Sequence, residues 1–210
     1  MSSDQATPAK APYHHGDLRR SLCEEALQVI RSDGIAALSL RRLAERVGVS
    51  QTALYHYFRN KEDLLLVVGE AAIEDFNQYL FAALDASTGD RLEAFVVAYL
   101  RYARDNPEVY ELIFGRASWK DASPHAFHQT ARASIRRYST LIQGLQARGV
   151  IAGEINVLRL LQVGWATLHG LSRMYNDGLA FTAEAIEDIG LHAARLLRGT
   201  LTGQPGADAR

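Results

Sequence analysis

The sequence predicts an all-α chain, and three observations carry that prediction. Apolar residues recur at spacings of three and four almost throughout, with no alternating stretch of the strand kind. Of the five prolines, Pro8 and Pro12 precede the first periodic segment and Pro205 lies in the tail, so only Pro107 and Pro124 fall inside the body, as expected where helix interiors reject proline. With 210 residues, 48% hydrophobic and 22% charged, the chain has a globular composition and length enough for one medium domain or two small ones.

The first helix is expected from Gly16 to Asp33, with Leu18, Leu22, Ala26 and Ile30 on one stripe and Gly34 as a left-handed stop. Ser39 then caps a short helix over Leu40 to Val47, Gly48 breaks it, and Ser50 caps a third helix over Gln51 to Tyr57. Leu38 with Leu43, and Val49 with Leu54, have the spacing of hydrophobic staples. Asn60 caps a long fourth helix from Lys61 to about Asp85, with Glu62 and Asp63 at its positive end and Leu65, Val68, Ala72, Phe76 and Leu80 as its core stripe. Further helices are expected near Asp90 to Asp105, Pro107 to Phe114, Pro124 to Arg148, Val157 to Asn176 and Thr182 to Arg198, with both prolines at helix starts, where a missing N–H costs nothing. Gly115 to Ser123 and Gly149 to Asn156 read as loops. Residues 1–12 read as a disordered segment and 201–210 as a mobile tail.

Composition narrows the function. No apolar run approaches the ~18 to 20 residues of a membrane span, and Met1 to Pro12 lacks the apolar centre of a leader, so a cytoplasmic protein is expected. The single cysteine, Cys23, forms neither an internal disulfide nor a metal cluster and reads as a core position. A net charge of −1 provides no global basic field, so any contact with nucleic acid must come from a local patch. Catalytic signatures are missing: there is no Gly-x-Gly, Cys-x-x-Cys, Gly-x-Ser-x-Gly or Glu-x-x-His pair. His14 and His15 read as solvated neighbours rather than metal ligands. Neither an enzyme nor a cofactor is expected.

Such a patch exists. Residues 39–58 form two short helices around a glycine turn, the spacing of a helix-turn-helix, with Leu43, Ala44, Val47, Val49, Leu54 and Phe58 as support. Between Ser39 and Lys61 stand Arg41, Arg42, Arg46, Arg59 and Lys61 against one acid, Glu45, and the third helix offers Gln51, Thr52, Tyr55 and His56 without a carboxylate. Tyr13-His14-His15-Gly16-Asp17-Leu18-Arg19, Leu40-Arg41-Arg42-Leu43-Ala44, Gly48-Val49-Ser50 and Leu54-Tyr55-His56-Tyr57-Phe58-x-x-Lys61 closely resemble the DNA-binding domain of TetR-family regulators over roughly residues 13–76. The resemblance implies that Ser39 and Ser50 hold phosphates, that Arg41 and Arg42 reach the backbone or adjacent bases, and that Gln51 and Thr52 meet base edges. It also implies phosphate contacts for Tyr55, Tyr57 and Lys61, with His56 on the same face. Ala53 departs from the glycine or threonine often found there, though alanine can touch a thymine methyl.

Residues 77–200 are expected to form a ligand-sensing and dimerisation domain. The aromatic residues there are core by default, but Phe76, Tyr79, Phe95, Tyr99, Tyr102, Tyr110, Phe114, Trp165 and His169 could equally line a chamber for a small apolar effector. Trp165, His169 and Gly170 resemble the Trp-His-Gly signature of one TetR subgroup, and Trp165 and His169 lie one turn apart on one face. Leu158, Leu161, Leu168, Ile186, Ile189, His192 and Leu196 make the last two helices apolar enough for half of a four-helix dimer interface, or for burial within one chain. The expected function is a repressor that leaves a palindromic operator when a small molecule binds. A DNA-binding dimer gated by a protein partner, or an activator, would carry the same N-terminal domain.

Overall fold

The computed structural model describes residues 15–115, 126–179 and 182–201. The expected N-terminal segment, the C-terminal tail, Pro124 and most of the loop after Gly115 lie outside them. The described residues form nine helices: α1 (His15–Ala37), α2 (Leu40–Val47), α3 (Gln51–Tyr55), α4 (Lys61–Ala86), α5 (Arg91–Asp105), α6 (Pro107–Phe114), α7 (Ala126–Ala147), α8 (Val157–Asn176) and α9 (Ala183–Leu201). None of them is long and apolar enough to cross a membrane.

The stripe Leu18, Leu22, Ala26 and Ile30 of α1 is buried as its spacing requires, together with Val29. Gly34 does interrupt the helix at positive φ, but its φ of 81° and ψ of 168° lie outside the left-handed helical region, and a last turn continues to Ala37. A Cβ at Gly34 would lie 2.9 Å from Oε2 of Glu108 on α6, but that carboxylate ends a flexible side chain, so it is the positive φ that selects glycine here.

Gly48 takes the left-handed conformation (φ 75°, ψ 35°) and turns α2 into α3. Leu43, Ala44, Leu54 and Phe58 are buried against α1. At about 1.5 to 3 kcal/mol for each large apolar side chain, this burial stabilises helices too short to form alone. The third helix stops at Tyr55, two residues earlier than the sequence suggests, and His56 and Tyr57 close a turn instead.

Asn60 caps α4, its side-chain oxygen accepting from the Asp63 N–H at 2.7 Å. The core stripe begins at Leu64 rather than Leu65, which is only half-buried, since Leu64 shares a face with Val68 and Ala72 at a spacing of four. Pro107 opens α6, and Asn156 caps α8 by accepting from Arg159 N–H at 3.0 Å.

Helix α4 packs on α5, α6 and α7, while α5 packs on α8 and α9. Gly190 permits the close approach of α9 to α5, for a Cβ there would sit 2.6 Å from Leu100 Cδ1. Glu187 on α9 accepts from both Arg101 (2.9 Å) and Arg104 (3.2 Å) of α5. Two residues expected at a dimer face, Leu168 and Ile186, are buried in the chain's own core, where α8 and α9 meet α5.

Candidate nucleic-acid interface and aromatic cluster

The N-terminal end presents one polar, partly basic face. Ser50 accepts from Ala53 N–H at 3.1 Å and so starts α3. That leaves Gln51, Thr52, Tyr55 and His56 exposed on the outer side, with Ala53 and Tyr57 half-buried beneath. Ser39 stands at the N-terminus of α2 in extended conformation, but its side chain makes no cap bond, contrary to the expectation from sequence, and it remains exposed.

The basic residues are less free than counting implies. Arg41 pairs with Glu45 at 3.1 Å, Arg46 with Glu25 and Arg59 with Asp63 at 3.7 Å. Such exposed pairs are worth only about 0 to 1 kcal/mol, so a phosphate can compete for each arginine. Arg42 lines a groove of about 400 Å3 between α1 and α2, together with Asp33, Leu38, Ser39 and Arg46. Lys61 is half-buried, and its ammonium donates to the Ile35 carbonyl at 2.6 Å, tying the start of α4 to the end of α1. Two N–H donors of that ammonium remain.

Most of the aromatic residues named from sequence meet in one cluster. Phe76 stands edge-on to Tyr99, Tyr102 and Phe114, with ring centroids 5.3, 4.9 and 5.6 Å away. Phe114 in turn touches Tyr110, Trp165 and His169, and Trp165 stacks on His169 at 5.2 Å and 23°. Phe95 joins through Tyr99 at 6.4 Å. Tyr79 stays at the rim, 43% exposed, against Tyr102. Trp165 is 50% exposed, so the cluster opens to the surface along α8.

Polar tips inside this cluster satisfy one another. The Tyr99 and Tyr110 hydroxyls are 3.0 Å apart, and the Tyr110 hydroxyl lies 2.7 Å from Nδ1 of His169. Burial raises all three phenols, Tyr102 and Tyr110 to about 12 and Tyr99 well above its usual value. Burial, and then the charge of Arg173, lowers the His169 pKa, which keeps the ring neutral near pH 7. Arg173 itself pairs with Glu111 of α6 and with Asp177 at 3.3 Å.

Sequence reasoning passed over Asn77, which is buried on α4. Its amide donates to Ser134 at 2.7 Å, and its carbonyl accepts from Tyr138 at 2.9 Å, fixing α7 on α4. A polar residue between Ile73, Phe76 and Leu80 on an apolar face was the available signal. Tyr138 also stacks on Phe81 at 5.2 Å, and the Arg137 guanidinium lies 3.6 Å over that ring.

A helix-turn-helix with an exposed, uncharged recognition helix, carried on a helical domain, defines a DNA-binding transcriptional regulator. Comparison with known proteins gives its family. The N-terminal profile of the tetR family of bacterial regulatory proteins matches residues 22–68, and that of the tetracyclin repressor-like C-terminal domain matches residues 92–199. The chain belongs to the tetR family. Nucleoid occlusion factor SlmA of Actinobacillus pleuropneumoniae is 35% identical over 91 residues, which cover 40% of this chain and 43% of that protein. The class C tetracycline repressor protein of Escherichia coli is 44% identical over 55 residues, or 26% of this chain and 25% of that protein. The chain thus aligns with less than half the length of these curated relatives. Solved structures match more fully. A protein of unknown function from Rhodococcus sp. RHA1 superposes with a TM-score of 0.74 at 28% identity, covering 92% of this chain and 100% of that one. A TetR-family transcriptional regulator from Pectobacterium atrosepticum gives 0.73 at 26%, covering 91% and 97%.

Proposed function

We propose that this regulator is a cytoplasmic homodimeric repressor, released from a palindromic operator when a small, largely apolar ligand enters the aromatic cluster. The observation that carries the reading is the cluster itself: rings from α4, α5, α6 and α8 meet around Phe76 and Phe114 and open to the surface at Trp165. Residues 13–76 form the DNA-binding domain in this reading, and 77–200 the sensing and dimerisation domain. Trp165, His169 and Gly170 mark the Trp-His-Gly subgroup. Gln51 and Thr52 read bases, Ala53 touches a thymine methyl, and Ser39, Arg41, Arg42, Ser50, Tyr55, His56, Tyr57 and Lys61 hold the backbone. Leu158, Ile189, His192 and Leu196 are exposed and Leu161 is half-buried, a composition suited to pairing with a second copy.

Coupling between the two ends has a physical route. Tyr110 and Glu111 of α6 hold His169 and Arg173 of α8, and α6 packs along α1, with Glu108 beside Gly34. The next residue, Ile35, holds Lys61 at the start of α4. A ligand that separates α8 from α6 therefore moves both α1 and α4, and with them the spacing of the paired recognition helices. Reciprocity requires operator to weaken ligand binding by the same factor that ligand weakens operator binding, typically about 1 to 3 kcal/mol. Thermal-shift screening of apolar metabolites and drugs identifies ligands, and calorimetry with and without operator measures the coupling. A ligand that binds both forms equally well refutes release.

A further inference from the structure

Three polar residues of the helix-turn-helix stand in one row. Ser39, Arg42 and Arg46 follow one another at spacings of three and four, and all three line the groove of about 400 Å3 between α1 and α2. The family resemblance implies DNA contacts for Ser39 and Arg42 and says nothing of Arg46. Arg42 makes no ion pair among the described residues, whereas Arg46 is bound to Glu25 of α1.

That bond does not use up the arginine. Arg46 donates to Glu25 through Nε, and no described residue accepts from Nη1 or Nη2. A guanidinium carries five N–H donors in a planar fork, so four remain. The Arg46 side chain is 56% exposed and that of Glu25 only 28%, so the carboxylate lies deeper and grips the inner edge of the fork. A tie between α1 and α2 needs only the Nε bond. It does not account for an outer fork, rich in donors, on the same groove as Ser39 and Arg42. The other carboxylate lining that groove, Asp33, accepts from Ser32 at 3.0 Å and pairs with neither arginine.

Resting on the reading of Ser39 and Arg42 as backbone contacts, we infer that Arg46 is a further phosphate contact, aimed by Glu25 through Nε and weakened by the charge of that same carboxylate. A phosphate in the groove takes N–H bonds from the outer fork while Glu25 keeps the inner one. Phosphates carry no sequence information, so Arg46 adds affinity for every duplex alike and Glu25 limits that addition.

Equilibrium binding of the full-length protein to one mixed-sequence duplex, measured across a range of salt concentrations, tests this. Arg46→Ala is expected to lower the slope of log affinity against log salt by about 0.9 for each bound subunit, as Arg42→Ala does. Arg46→Gln, which keeps more of the stem, repeats the measurement if the alanine variant folds poorly. Glu25→Gln keeps an acceptor for Nε and removes the charge. At physiological salt, where exposed charges more than about 8 Å apart are largely screened, it is expected to tighten binding about two- to fivefold. That gain is expected to vanish when Arg46→Ala is added. A parental slope in Arg46→Ala beside a lowered slope in Arg42→Ala overturns the inference and leaves the reading of Ser39 and Arg42 intact. Parental slopes in both overturn that reading and the inference with it. A Glu25→Gln gain that is absent, or that survives in the Arg46→Ala background, also overturns the inference, because Glu25 would then not act through Arg46.

Discussion

Replacing Tyr110 by Phe removes one oxygen from the centre of the cluster and nothing else. The ring is fully buried, and Phe114, Tyr99 and His169 stay packed around it, so no cavity opens. Two partners lose their bond. The Tyr99 hydroxyl, 3% exposed, is left with a proton and no acceptor, which costs about 1 to 3 kcal/mol. Nδ1 of His169 belongs to a half-buried ring that water can reach, so its loss stays near the net value of one hydrogen bond, about 0.5 to 1.5 kcal/mol. The sum is about 1.5 to 4.5 kcal/mol. Tyr99→Phe costs less, because Tyr110 keeps its bond to His169. The double variant should then cost less than the two singles together by about 1 kcal/mol, the signature of groups in one network. Urea unfolding at a fixed protein concentration, needed because dimerisation couples to stability, measures all four proteins. A neutral Tyr110→Phe, or strict additivity within about 0.3 kcal/mol, would refute the hydroxyl network.

Other perturbations separate the remaining parts. Lys61→Ala should weaken every duplex alike and lower the slope of log affinity against log salt by about one, whereas a parental slope would mean that the ammonium serves only the Ile35 carbonyl. Gly190→Ala forces a Cβ to within 2.6 Å of Leu100 and should destabilise by about 1 to 3 kcal/mol, read as a lower urea midpoint at unchanged slope. Tyr102 and Tyr110 titrate near 12 in the fold against 10 when unfolded, so their contribution is full below pH 10 and is lost as pH rises from there towards 12. Unfolding followed by circular dichroism across that range checks it. The His169 pKa is lowered by folding, so its contribution is present above pH 6.5 and lost as pH falls below, and His169→Gln should flatten the acid limb of the stability curve.

Much of the scaffold was legible in the sequence because its ends are chemically marked. Pro107 and Phe114 bound α6, Asn156 and Asn176 bracket α8, and Ser50 and Asn60 sit one residue before the helices they cap. What sequence could not supply is interaction between distant segments. Periodicity identifies Leu168 and Ile186 as apolar-face residues but does not say which neighbour covers that face, and α5 covers it. Lys61 reads as a phosphate contact from its place at a helix start, yet its ammonium bonds a carbonyl 26 positions away. Ser39 has the residue type and position of a cap, but its side chain makes no such bond. The aromatic inventory pointed to Tyr99, Tyr110, Trp165 and His169. Only the fold brings α5, α6 and α8 together so that their polar tips form one chain.

The most direct test of the central claim is selection of bound sequences from randomised duplex DNA by the purified full-length protein, repeated with Gln51→Ala and Thr52→Ala. An inverted repeat is expected, with half-site centres about 34 Å apart or a multiple of it. In at least one variant the base preference should relax at defined positions, with a loss of about 1 to 3 kcal/mol if the Gln51 contact is bidentate. Enrichment of no motif, or an identical motif from the wild type and both variants, would contradict recognition through α3.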